Sequence, residues 1–163
     1  MQEFTNKICF ESEVEYKAIE VNGKKEHHIS GFVSVPVPDN VNDLVPETLQ
    51  PKIVERINKG FANRVSLNHD FLLEGNLLPI ASAKAEVKSH PKLNKTSSYV
   101  DIVLDEESPK FSEIMNHASK NEIKGFSIEY PKNPPHHFEN IEGKNVRVFD
   151  DTQIFGLALV TSP

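Results

Sequence analysis

Period-two alternation dominates the pattern of apolar and polar residues along this chain. It is sharpest at Asn121-Glu122-Ile123-Lys124-Gly125-Phe126-Ser127-Ile128-Glu129-Tyr130, where Phe126, Ile128 and Tyr130 share one face and Gly125, Ser127 and Glu129 the other. The apolar face anchors a strand, and Ser127 is then displayed on the opposite face. Gly125 leaves room for a backbone or substrate beside the hydroxyl. Phe4 to Tyr16 and Lys17 to Val21 also read as extended. Asn22-Gly23 marks a hairpin turn, and His28 to Val35 returns with Ile29, Gly31, Val33 and Val35 on one side. Arg64 to His69 is strand-like and delivers His69-Asp70 at its end, before a loop around Gly75. Ile80 to Val87 and Tyr99 to Leu104 follow; in the second, Val100, Ile102 and Leu104 are apolar and Tyr99, Asp101 and Val103 face away. Asn145 to Phe149 and Gln153 to Val160 close the series.

Two stretches switch to helical spacing. Leu49, Ile53, Val54 and Ile57 form a stripe between a Thr48 cap and Gly60. Phe111, Ile114, Met115 and Ala118 form another, with Ser108 as cap and Pro109 at the first helical position. Pro36 to Pro46 and Pro131 to Glu142 read as loops from their Pro, Asn and Asp content. About nine strands and two helices predict an α+β, mainly β fold. The short connections favour an antiparallel, barrel-like sheet flanked by helices, in a single domain spanning residues 1–163.

Composition narrows the function. A chain of 163 residues with 37% hydrophobic content supports a real core, and a net charge of −6 argues against binding nucleic acid. No apolar run reaches membrane-spanning length and no signal-peptide layout opens the chain, so use inside a cell is expected. Cys9 is the only cysteine, which excludes an intrachain disulfide and reads as a buried, inert thiol. His-Glu-x-x-His, paired Cys motifs and a phosphate-binding Gly-rich loop are all missing, so no metal or cofactor is expected. Adjacent His27 and His28 point to opposite faces of a strand and cannot easily share an ion. His136 and His137 fall in the Pro-rich stretch.

A serine hydroxyl becomes nucleophilic when a neighbouring base takes its proton. His69 is the best-placed base, at the end of a strand whose Val65 and Leu67 are apolar. Asp101, on the non-core face of its strand, is the first candidate to orient it, with Glu129 as a rival because it shares a face with Ser127. Arg147 is the candidate cation for an oxyanion.

The order of these landmarks resembles the prohead proteases of tailed viruses. Val65-Ser66-Leu67-Asn68-His69-Asp70, Leu78-Pro79-Ile80-Ala81, Gly125-Phe126-Ser127-Ile128 and Leu157-Ala158-Leu159-Val160-Thr161-Ser162-Pro163 are similar to four segments of that family. Ile29-Ser30-Gly31-Phe32 and Asp43-Leu44-Val45-Pro46 resemble its opening strand and its Asp-x-Val-x-Pro segment. Three positions depart from the pattern: Ala81 and Glu129 stand where the family has Gly, and Gly156 stands where an acidic residue often precedes the final strand. The resemblance implies a fold related to herpesvirus assemblin and a serine endopeptidase that acts inside the assembling procapsid, in the host cytoplasm. Its substrates would be the scaffold, extensions of the major capsid protein and the enzyme itself; a homo-oligomer is left open. Ser127 would be the nucleophile, His69 the base and, less directly, Asp101 the third member. An end directly after Val160-Thr161-Ser162-Pro163 is expected of a chain lacking a C-terminal tail. The alternative is an inactive β-rich assembly module of the same fold.

Overall fold

A computed structural model describes residues 14–39, 41–62, 64–67, 80–108, 110–120 and 122–160. Cys9 and most of the first strand-like run, His69-Asp70 with the loop around Gly75, Pro109 and Thr161-Ser162-Pro163 lie outside the described residues.

The first sheet is built from a hairpin, β1 (Glu15–Val21) and β2 (Lys24–Ser34), joined at Asn22-Gly23, where both residues have positive φ. That dihedral is why Asn-Gly serves there. A two-residue β3 (Asp43–Leu44) interrupts the stretch read as a loop. A short 3₁₀ turn, Glu47–Leu49, then leads into α1 (Gln50–Asn58). Thr48 lies inside that turn and caps nothing, and Gly60 ends the segment at φ +83°. After β4 (Val65–Leu67) come β5 (Ile80–Ser89) and β6 (Thr96–Leu104), then α2 (Phe111–Ser119). The second helix starts at Phe111, later than its Ser108 cue, and Ser108 Oγ accepts from the Lys110 N–H just before it. β7 (Gly125–Glu129), β8 (His136–Ile141), β9 (Lys144–Phe149) and β10 (Gly156–Val160) complete the series.

The strands form three sheets among the described residues, in the orders β1-β2-β6-β5, β4-β10-β7 and β3-β9-β8. The fold is α+β and mainly β, as the alternation predicts. Pairing is antiparallel except where β4 lies parallel to β10 and β3 parallel to β9. One core joins the sheets: Ile29, Val100 and Ile102 from the first meet Val65, Phe126, Ile128, Leu157 and Leu159 from the second. Ile53 and Ile57 cover it from α1, which packs on β5 and β6. The stretch read as a Pro-rich loop is instead half strand. His136 to Ile141 pair with β9 through a turn at Glu142-Gly143. Its middle residues are exposed, so no apolar alternation marks them.

Candidate active site

The sheet β4-β10-β7 is assembled from three of the segments singled out in the sequence. Register places Ser66, Ala158 and Ser127 in one row across it, and Gly156 opposite Glu129 in the next. Residues in a row project to the same face, so the Ser66 and Ser127 side chains stand on one side of the sheet, two strand spacings or about 10 Å apart. The opposite face, with Phe126 and Ile128, is core. β4 ends at Leu67, two positions before His69, which lies outside the described residues.

The display face differs from expectation. Every residue of β7 is buried, and Ser127 is 5% exposed. Ser127 and the facing Ala158 are both buried, so the face opposite Phe126 and Ile128 is covered as well. Glu129 is buried there too. Its Oε2 accepts from Ser66 Oγ at 3.0 Å, and its Oε1 lies 4.0 Å from Arg64 Nη2. A Cβ at residue 156 would overlap Glu129 Oε1 and come within 3.2 Å of the Arg64 carbonyl oxygen, so a side chain there would displace the carboxylate.

Ser127 also lines a small cavity of about 30 Å³ with Val33, Val37, Asp39, Asp43 and Tyr130. Asp43 is the hub of a polar cluster behind it. Arg147 donates to both its oxygens at 2.8 Å, through Nε and Nη2, and the Tyr130 hydroxyl donates to Oδ2 at 3.0 Å. The Asp43 hydrogen bond outweighs burial and raises the Arg147 pKa further. Burial likewise raises the Tyr130 phenol, with Asp43 adding to it. Asp39 accepts from the Val41 and Asp43 N–H groups, yet burial pushes its pKa up to about 6. The guanidinium of Arg147 is thus engaged by a carboxylate beside the serine's cavity.

Asp101 has a different neighbourhood. It lies on the outer face of β6, between buried Val100 and Ile102, as its alternation predicts. There His28 Nδ1 meets its two oxygens at 3.0 and 2.9 Å, while Nε2 meets Glu26 Oε1 at 3.1 Å. Both ring nitrogens face carboxylates, so the imidazole serves them best as a double donor. Burial opposes that charged form, but the hydrogen bonds to Asp101 and Glu26 prevail and the pKa is raised. His28 and Asp101 line a groove of about 370 Å³ with Ser30, Lys84 and Tyr99. A Ser-His-Asp trio is present in Ser30, His28 and Asp101, but the second imidazole nitrogen is spent on Glu26 rather than on a hydroxyl. His27 points to the other face, as its position in the strand predicts, and meets the Tyr16 hydroxyl at 2.6 Å and the Phe111 ring edge.

Sequence reading missed the His28–Asp101 pair and the Ser66–Glu129 pair. Only the strand order brings their members together, from 73 and 63 positions apart. No group of His, Cys, Asp and Glu among the described residues is arranged to hold a metal ion. No protein-family model, curated protein or solved structure matches this chain.

Proposed function

We propose that the chain is a serine endopeptidase of the prohead-protease kind, with Ser127 as nucleophile and His69 as its base. The observation that carries this reading is the sheet β4-β10-β7: the strand leading to His69, the strand carrying Ser127 and the family-like closing strand are neighbours in one sheet. The other family-like segments lie in β2, β3 and β5 of the neighbouring sheets. On this reading the sheets are walls of an assemblin-like barrel, and β2 already packs against β7. The imidazole takes the Ser127 proton as the hydroxyl oxygen attacks a peptide carbonyl. It then gives that proton to the leaving amine, and water repeats the sequence on the acyl-enzyme. Ser127 and His69 are the reacting pair. Asp101 is held by His28 on the far side of the core, and Arg147 by Asp43, so backbone N–H groups are the preferred oxyanion donors. The substrates proposed are scaffold and capsid-protein extensions within a procapsid.

A second reading, an inactive assembly module of the same fold, is favoured by the burial of Ser127. A fluorophosphonate probe separates the two. The enzyme reading expects one adduct, mapped to Ser127 by peptide mass spectrometry, together with cleavage of a peptide library; Ser127→Ala and His69→Ala lose both. Cleavage that survives Ser127→Ala, or no adduct at Ser127, sinks the protease reading.

A further inference from the structure

We propose that Glu129 is a positioning residue, whose carboxylate sets the spacing between the strand that carries Ser127 and the strand that leads to His69. The inference rests on the protease reading and gives Glu129 a part other than partner to the imidazole. β4 is three residues long and its described pairing is to β10 alone, so few ladder bonds hold it. The Glu129 side chain reaches it from β7 across the bare backbone of Gly156. Its carboxylate is 1% exposed, meets the fully buried Ser66 hydroxyl at 3.0 Å, and lies 4.0 Å from the guanidinium of Arg64. Ser66 belongs to β4 and Arg64 is the residue that leads into it, and the Arg64 carbonyl accepts from the Leu157 N–H on β10 at 2.7 Å. A buried carboxylate holds its partners firmly because losing them leaves it unpaired in a poor solvent.

The position of this tie also assigns its role. β4 runs from the Glu129 end of the sheet toward the Gly125 end, so its exit toward His69 is at the far end from the carboxylate. Glu129 therefore acts on the base through the strand. Reaction between two groups falls off steeply with misplacement, by about 100-fold for 1 Å in unfavourable cases.

The test is saturation kinetics of fluorophosphonate labelling at Ser127, read with hydrogen exchange at residues 65–67. Ser66→Ala and Glu129→Ala should lower the maximal labelling rate by about 10-fold or more while the half-saturating probe concentration stays put. Glu129→Gln, whose amide oxygen still accepts from Ser66, should stay within about 3-fold of wild type. Exchange at residues 65–67 should speed up in Ser66→Ala, a variant mild enough to fold if Glu129→Ala does not. Wild-type labelling rates in Ser66→Ala, at a temperature where circular dichroism shows it folded, overturn the positioning role. Unchanged exchange overturns the tie itself. Absence of any label on the wild type instead overturns the protease reading and with it this role, even where the exchange shows the tie.

Discussion

Asp43 and Asp101 are each gripped through both oxygens by a basic side chain, yet solvent treats them differently. The Asp43 side chain is 7% exposed, with Arg147 at 18%. The Asp101 side chain is 40% exposed, with His28 at 15%. Asp43 also accepts from the buried Tyr130 hydroxyl, whereas the second contact of the imidazole is another open carboxylate, Glu26. The first arrangement locks β3 to β9 and to the end of β7; the second laces the face of one sheet. Similar chemistry is therefore structural in one place and adjustable in the other. Burial decides which.

The sharpest way to break this comparison is to remove each aspartate. Asp43→Ala leaves Arg147 without its partner and should cost about 3–5 kcal/mol in denaturant unfolding. A loss no larger than that of Asp101→Ala would erase the distinction. Next in size is Gly156→Ala, which forces the Glu129 carboxylate off Ser66 and should cost about 1–3 kcal/mol. In a Glu129→Ala background the same change should cost less, with a coupling of roughly 1 kcal/mol, since the overlapping atom is gone.

The pH dependence is the next test. Asp39 has a folded pKa of about 6 against 3.8. The folded state therefore keeps the Asp39 proton between these values, so this group's contribution to stability is full below about pH 4 and is lost as pH rises through 6. The loss should be about 1–3 kcal/mol, and Asp39→Asn should flatten that window in urea titrations. His28 has its pKa raised above 6.5, so its contribution is full below that value and fades as pH climbs past the folded pKa. The smallest effect expected is Asp101→Ala, at most about 1 kcal/mol and further reduced in 1 M salt.

Much of the scaffold was legible because burial writes itself as alternation. Val100, Ile102 and Leu104 are buried and Asp101 looks outward, as spacing predicts. Ile53 and Ile57 are the buried rows of α1. β8 was illegible for the same reason: its middle residues are exposed, so Phe138 stands alone in a polar run and the prolines before it read as loop. Ser127 shows the limit most clearly. Period two places it opposite the core, but whether that second face meets water depends on what covers it, and the Ser127 side lines a small cavity with Tyr130 and with Val33 and Val37 from another segment. Asp101 could be placed on a face but not given a partner, because His28 reaches it through the pairing of β2 with β6.

An acid at residue 129 and a bare position at 156 look independent when read along the chain. The fold makes them one feature, since they sit directly across a strand pair and compete for the same volume. A relative that traded only one of the two would carry either a clash or an empty slot, so the pair is expected to vary together or not at all.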